Sequence, residues 1–112
     1  MRRGTLCWVD LSDARPPEMG KIRPCVVVSN SSVNAALQTV VIVPLSSQPE
    51  EVWPLRLRVE FPAGKSSYAV IPGIRQVARR RLLDPSGLLP SEDMNRVEAA
   101  LRIYLGDAGD YE

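Results

Sequence analysis

An arginine followed by a proline stands at the start of an apolar run, in the segment Gly20–Ser29. Proline restricts the residue before it to extended geometry, so Arg23 points in a defined direction from the mouth of a strand. A guanidinium stays charged, is a poor proton shuttle and matches the geometry of a phosphate. Arg23 is therefore a candidate for stabilising charge on a phosphoryl group. The residues alone leave open a second interpretation, in which Arg23 pairs with Glu18 or Asp10 at the strand edge.

Two adjacent serines follow the strong strand pattern that ends at Val43-Pro44. Hydroxyl groups at a strand end can contact a phosphate oxygen, which makes Ser46 and Ser47 candidates for substrate binding. Serine hydroxyls also stabilise turns, and this alternative stays open. The sequence thus offers a second polar component to accompany Arg23.

Basic and aromatic residues elsewhere are typical of a surface that binds nucleic acid. The run Arg79–Arg81 can follow phosphates, and Arg56 and Arg58 on one strand face extend such a surface. Trp53, in a loop, is better placed for base stacking than Trp8. The alternatives are a solvated charged segment for the arginine run and a place in the core for the tryptophans.

Charge is unevenly distributed along the chain, although the net charge is only +1. Residues 1–82 carry twelve Lys/Arg and six Asp/Glu, whereas residues 83–112 carry two and seven. Twelve of the fourteen cations are arginines. Because arginine binds phosphates bidentately and stacks on bases, this bias favours an RNA or DNA partner. A GC-rich genome is the alternative source of the bias.

The 112-residue sequence contains no histidine, which excludes histidine-based triads and paired-histidine ribonuclease chemistry. Its two cysteines, Cys7 and Cys25, lie in apolar strand patterns and are predicted to be buried, reduced thiols. They cannot form a standard zinc site, and no carboxylate cluster has two-metal spacing, so no metal or cofactor is expected. The sequence has no signal peptide and no membrane-spanning run, which predicts a cytoplasmic protein.

Five to seven short strands, from about residue 5 to 83, are predicted with Pro/Gly turns and no helices between them. Alternation in Leu55–Phe61 indicates a half-buried antiparallel strand, and Pro72-Gly73 indicates a bend or bulge. An amphipathic helix is predicted over about 91–105, with Ser91 as its N-cap, before a frayed acidic tail at 107–112. Residues 1–112 are therefore predicted to form one mainly β domain, a small antiparallel barrel with a C-terminal α-helix.

Several segments resemble the MazF/PemK-type toxins. The N-terminal segment 3–11, the stretch 18–30, the strand end Val43–Ser47, Ile74–Val77, the arginine run and the terminal helix all fit. The resemblance covers nearly the whole chain. The Arg-Pro motif at Arg23 is its fairly specific part, and the other motifs support it.

This resemblance implies an SH3-like barrel of the CcdB/MazF/PemK type and a homodimer with RNA crossing the dimer groove. It also implies a metal-independent, sequence-specific endoribonuclease of a toxin–antitoxin pair, with an acidic, partly disordered antitoxin. The family's catalytic arginine falls on Arg23, its catalytic threonine on Ser46, and a glutamate that influences RNA handling on Glu18. The RNA-binding residues expected are Glu18, Lys21, Ser47, Trp53, Arg56, Arg75, Arg79, Arg80 and Arg81.

The reaction implied by the resemblance is attack of an RNA 2′-OH on its own phosphorus, which leaves a 2′,3′-cyclic phosphate and a 5′-OH. In the hypothesis that follows, Arg23 stabilises the transition state and can protonate the leaving oxygen, while Ser46 positions the phosphate.

Three positions depart from the family pattern: Pro72 and Gly73 replace a usual Asp-Gln pair, and Ala78 replaces an aspartate often found there. They put the cleavage specificity in doubt. Two alternatives therefore stay open. One is a catalytically weak member that binds nucleic acid or antitoxin, and the other is a gyrase-inhibiting toxin on the same fold, which would not need Arg23 or Ser46.

Overall fold

The computed structural model describes residues 1–61 and 66–107. These residues form seven strands, two α-helices and two short 3₁₀ turns. The strands are β1 (Thr5–Asp10), β2 (Ile22–Val27), β3 (Thr39–Ser46), β4 (Arg56–Glu60), β5 (Ser66–Val70), β6 (Arg75–Ala78) and β7 (Leu82–Leu88). The helices are α1 (Ser31–Ala36) and α2 (Ser91–Tyr104), and the 3₁₀ turns are Ile71–Gly73 and Arg79–Arg81.

Strand β3 belongs to two sheets, and this sharing organises the fold. Its β-branched run, Thr39 to Val43, suits a central strand. One edge pairs with β2, while the other pairs first with β6, from Thr39 to Ile42, and then with β5, at Leu45 and Ser46. The first sheet has the order β6-β3-β2-β1-β7, and the second has the order β3-β5-β4. All pairings are antiparallel, so the predicted mainly β fold with a C-terminal helix is confirmed.

The first sheet curls into a small barrel because β6 and β7 lie on its opposite edges and are joined by the short turn Arg79–Arg81. One apolar cluster fills the face that this curl encloses. Its members are Cys7, Val9, Leu11, Cys25, Val27, Val40, Ile42 and Val77.

A second apolar cluster lies on the opposite face of β1, β2 and β3 and extends over β4 and β5. Helix α2 covers it with Met94, Val97 and Ala100, which recur at helical spacing and are buried. Burying a side chain the size of Val97 contributes about 1.5–3 kcal/mol. No helix in residues 1–61 and 66–107 is both long and apolar enough to cross a membrane.

Several features differ from the sequence prediction. The prediction of no helices between the strands is wrong, because α1 lies between β2 and β3. Strand β7 continues to Leu88, beyond the predicted end near residue 83, because pairing with β1 carries it to Thr5. Helix α2 begins at Ser91 with Pro90 in the cap position, so the prediction of Ser91 as the N-cap is wrong. Pro72-Gly73 forms a 3₁₀ turn rather than a bulge. The predicted tail, beyond residue 107, lies outside the described residues.

Candidate active site

Arg23 lies near the start of β2, opposite Val9 of β1, and its side chain is half-buried. The chain reaches this strand through Lys21, whose positive φ of 69° turns the backbone back on itself. The turn brings the carbonyl of Gly20 within 2.7 Å of the Arg23 Nε, which donates a hydrogen bond to it. Among residues 1–61 and 66–107, the two terminal nitrogens of Arg23 have no hydrogen-bond partner. The guanidinium is therefore fixed at one nitrogen, and its fork remains available to a ligand.

Ser46 ends β3 beside Arg23. The observed β2–β3 pairing ends at Cys25 and Pro44, and Arg23 and Ser46 each lie two residues beyond that last pair. Residues opposite each other in antiparallel strands share a face of the sheet. The Ser46 hydroxyl is only 6% exposed and accepts a hydrogen bond from the Gln48 N–H at 3.1 Å. It therefore stabilises the turn, and its own proton can still be donated.

An apolar cavity of about 390 Å³ opens beside Arg23. Ser47 and Arg23 contribute polar groups to its wall, and the apolar part includes Trp8 and Phe61, whose rings meet edge to face at 6.1 Å. Ser47 is exposed, unlike Ser46, because successive residues of an extended chain point to opposite sides. The side chains of Ser46 and Ser47 therefore lie on opposite sides of the chain, and only Ser47 lines this cavity.

A cluster of two arginines and one aspartate anchors the loop between β1 and β2. Asp13 of that loop forms ion pairs with Arg81 at 2.5 Å and Arg75 at 3.3 Å. Arg81 also donates to the backbone carbonyl of Asp10, through Nε at 2.9 Å and a terminal nitrogen at 2.5 Å. Hydrogen bonds from the two guanidinium groups lower the pKa of Asp13 to about 2. Two arginines predicted to bind RNA are therefore occupied by the protein itself.

The same loop carries Glu18 and borders a smaller cavity of about 130 Å³. Glu18 is exposed and accepts a hydrogen bond from the Arg15 N–H at 3.0 Å. The opposite wall contains Gly73, where an added Cβ would lie 2.6 Å from the Cγ of Pro44. That contact is too short for any larger residue unless Pro44 of β3 moves. Glycine at position 73, which departs from the family pattern, therefore allows the turn to pack closely against Pro44.

The arginine run does not form one patch. In a 3₁₀ turn, successive side chains lie about 120° apart, so three adjacent residues point in three directions. Arg81 binds Asp13, whereas Arg79 donates to the backbone carbonyl of Asn34 at 3.3 Å. Arg80 is exposed and has no hydrogen-bond partner within the part of the chain that the structure describes.

The second sheet places further candidates beside Ser46. Arg56 donates to the backbone carbonyls of Gln48 at 2.5 Å and Glu50 at 3.3 Å, and its guanidinium lies over the ring of Tyr68, 5.9 Å from the centroid. Trp53, in the loop before β4, is 50% exposed. Tyr68 was not identified from the sequence. The signal was the alternation in Ser66–Val70, which sets Tyr68 on the face opposite buried Ser67 and Ala69.

Cys7 and Cys25 face each other across β1 and β2 with their sulfur atoms 3.5 Å apart, and both are buried free thiols, as predicted. The hydrogen bond with Cys7 and burial both raise the pKa of the Cys25 thiol, which keeps it protonated and unreactive. Among the described residues, no three His, Cys, Asp or Glu side chains are grouped to hold a metal ion.

Comparison with known proteins gives one family by two routes, and solved structures show the same fold. The profile of a family described as PemK-like, MazF-like toxins of type II toxin–antitoxin systems matches residues 2–105. The endoribonuclease MazF9 of Mycobacterium tuberculosis is 32% identical over 94% of this chain and 96% of its own length. MazF from Deinococcus radiodurans superposes with a TM-score of 0.82 at 21% identity, covering 94% of this chain and 96% of that one. A mycobacterial endoribonuclease in complex with its cognate antitoxin superposes with a TM-score of 0.78 at 23% identity, covering 94% of both chains.

Proposed function

Since the chain belongs to the PemK-like, MazF-like toxins of type II toxin–antitoxin systems, we propose that it is an endoribonuclease that cleaves single-stranded RNA. The observation that carries the proposal is Arg23, which is fixed through Nε and keeps the fork of its guanidinium available at a strand end. A relative that is 32% identical is named an endoribonuclease, which supports the same reaction class.

In the proposed reaction, the ribose 2′ oxygen attacks the adjacent phosphorus and loses its proton to solvent or a nearby base. The bond from phosphorus to the 5′ oxygen breaks, and that oxygen gains a proton from water. The products are a 2′,3′-cyclic phosphate and a 5′-OH. Arg23 stabilises the charge on the phosphoryl oxygens with its two terminal nitrogens. The Ser46 hydroxyl donates a hydrogen bond to one of these oxygens.

The RNA-binding surface that we propose extends from Arg23 in two directions. Lys21 and Ser47 are exposed beside it, Arg56 lies on strand β4 of the second sheet, and Trp53 lies in the loop before that strand. Glu18 and Arg75 line the smaller cavity on the other side. The arginine run is not a patch, and Arg79 and Arg81 would have to release the Asn34 carbonyl and Asp13 before they could bind RNA. Arg80 is exposed and has no hydrogen-bond partner among the described residues.

We also propose that two copies of the chain associate and that an acidic, partly disordered antitoxin covers the basic face. A related mycobacterial endoribonuclease was solved with its cognate antitoxin. The excess of arginine over acidic residues in positions 1–82 suits an acidic partner. Because messenger RNA is the proposed substrate, the protein is expected to act in the cytoplasm.

The test is cleavage of RNA by purified wild type and by Arg23→Ala, each with EDTA present. Wild type should give discrete fragments with cyclic-phosphate ends, and Arg23→Ala should cleave at least about a hundredfold more slowly. Arg102→Ala is the matched control, because Arg102 is an exposed arginine of α2 that binds only Glu98 among the described residues. It should cleave like wild type.

Absence of cleavage by wild type, or equal cleavage by Arg23→Ala, would contradict the proposal. Growth arrest with intact RNA and broken DNA would indicate a gyrase inhibitor instead.

A further inference from the structure

A row of paired side chains crosses the three strands β3, β5 and β4, and it contains one aromatic residue. Ser46 of β3 is paired with Tyr68 of β5, and Tyr68 is paired with Arg58 of β4. Paired residues in antiparallel strands share a face, with their Cβ atoms about 4.5–5.5 Å apart. Ser46, Tyr68 and Arg58 therefore lie in sequence along one face, and Arg23 lies on β2, the strand on the other side of β3.

The ring of Tyr68 is held in place by its neighbours. The guanidinium of Arg56 lies over it, 5.9 Å from the centroid, and Arg56 is itself fixed by the carbonyls of Gln48 and Glu50. The Tyr68 hydroxyl has no hydrogen-bond partner among residues 1–61 and 66–107. Packing rather than the hydroxyl therefore orients the ring, and a ring that is already ordered loses little entropy when a ligand stacks on it.

Arginines flank Tyr68 on strand β4, and carboxylates lie beyond Arg58. Arg58 lines a surface cavity that also contains Glu60, Glu92 and Asp93. Arg58 is exposed and donates to the Ser66 hydroxyl at 2.8 and 3.0 Å, which directs its guanidinium along the sheet. Glu51 contacts strand β4. It pairs with Arg96 at 2.8 Å and accepts a hydrogen bond from the Arg58 N–H. Glu60 is the remaining carboxylate on this face of β4, two positions beyond Arg58.

We propose that Tyr68 is the platform on which a base of the RNA stacks, next to the reacting phosphodiester, and that Arg58 binds the phosphate beyond it. The proposal rests on the endoribonuclease function proposed above. Adjacent strands are about 4.8 Å apart, so Tyr68 lies one strand from the Ser46 hydroxyl and about two from Arg23. The stacked base therefore belongs to a nucleotide adjacent to the cleaved bond. Aromatic rings flanked by arginines bind single-stranded nucleic acid in this way.

The first measurement compares two variants at Tyr68, after wild type has been used to map a cleavage site in a short oligoribonucleotide. Tyr68→Val removes the ring but suits a strand. It should raise KM by about tenfold, with kcat little changed, because stacking contributes equally to the ground state and the transition state. Tyr68→Phe should restore the wild-type KM, since the hydroxyl has no role. Tyr104→Leu, at an exposed tyrosine of α2, is the matched control and should leave KM unchanged.

The second measurement separates stacking from a structural effect of the ring. Oligonucleotides with one abasic ribose at each position around the cleaved bond are assayed with wild type and with Tyr68→Val. At one position adjacent to the cleaved bond, the missing base should raise the wild-type KM by about tenfold but should not raise that of Tyr68→Val further. A crosslink gives a readout that does not depend on a variant folding. The oligonucleotide carries 5-iodouridine at that position and a 2′-deoxyribose in place of the attacking ribose, which prevents cleavage. It should crosslink to wild type at Tyr68.

Three results would overturn the proposal. The first is an unchanged KM for a folded Tyr68→Val, and the second is an abasic penalty that is the same in both proteins. The third is a crosslink that maps elsewhere. Cleavage by wild type separates the two proposals. If Tyr68 is not the platform but the proposed function holds, wild type still cleaves RNA. If wild type cleaves no RNA, both are refuted.

Discussion

Arg23 and Arg81 lie at the same end of the barrel, but the protein uses their donors differently. Asp10, whose carbonyl binds Arg81, is paired with Ile22, the residue before Arg23. All three nitrogens of Arg81 donate to Asp10 or Asp13. Only the Nε of Arg23 has a partner among the described residues. One guanidinium therefore completes a structural contact, whereas the other is oriented and left open.

This difference shows that the number of arginines on a surface does not measure its capacity to bind phosphate. A guanidinium engaged with a carboxylate must give up that partner before it can bind an anion. A guanidinium held at one nitrogen has already lost part of its side-chain freedom, so less is lost when a phosphate binds. Arg75 resembles Arg81 in this respect, since both bind Asp13.

The largest difference in kcat is expected between the variants Arg23→Lys and Arg81→Lys. Lysine keeps the charge but loses the planar fork. Arg23→Lys should lower kcat for RNA cleavage by about a hundredfold, because the two donors to the phosphoryl oxygens are replaced by one mobile ammonium. Arg81→Lys should lower it by less than about threefold, since exposed ion pairs contribute little. Similar losses in kcat for the two variants would show that Arg81 also acts on the substrate.

Much of this comparison was inaccessible to sequence reasoning, although the fold was not. Alternating and β-branched runs depend on local periodicity, so the β-rich fold and the amphipathic α2 could be predicted. The proline after Arg23 also allowed the sequence to predict that Arg23 lies at the start of a strand. By contrast, the ion pairs of Asp13 join residues 62 and 68 positions apart, and no local pattern records them.

The arginine run and Tyr68 show two further limits. Adjacency in sequence suggested one basic patch at residues 79–81, whereas a 3₁₀ turn separates the three side chains. Tyr68 gains its importance from pairing with Ser46, which lies more than twenty positions earlier and on another strand. The alternation around Tyr68 could have shown which face it occupies, but only the register shows that this face includes Ser46.

A smaller effect is expected at Ser46, which tests whether the hydroxyl serves the turn alone. Ser46→Ala removes an acceptor from the Gln48 N–H and a donor to the phosphate. A hydrogen bond contributes about 1 kcal/mol, so a fall in kcat of about five- to tenfold is expected together with a lower melting temperature. Ser46→Thr keeps the hydroxyl and should restore both quantities. A lower melting temperature with unchanged kcat would limit Ser46 to its turn.

The smallest effect on activity is expected at Asp13, where the arginines are tied to the loop rather than to RNA. Asp13→Asn weakens both ion pairs, so amide hydrogens in residues 12–20 should exchange faster, while kcat at neutral pH changes by less than about threefold. Asp84→Asn, at an exposed acid of β7, is the matched control and should leave that exchange unchanged.

The pH dependence of the melting temperature tests the same Asp13 anchor. The pKa of Asp13 is lowered from 3.8 to about 2 in the folded chain, so its stabilising effect is fully present above about pH 4 and is lost as the pH falls toward 2. The melting temperature of wild type should therefore fall more steeply over this interval than that of Asp13→Asn, which has no carboxylate to protonate there. Asp10 and Glu51 also have lowered pKa values, so the variant should keep part of the fall. Parallel curves for the two proteins would mean that Asp13 does not anchor the loop, and the contrast between Arg23 and Arg81 would lose its structural basis.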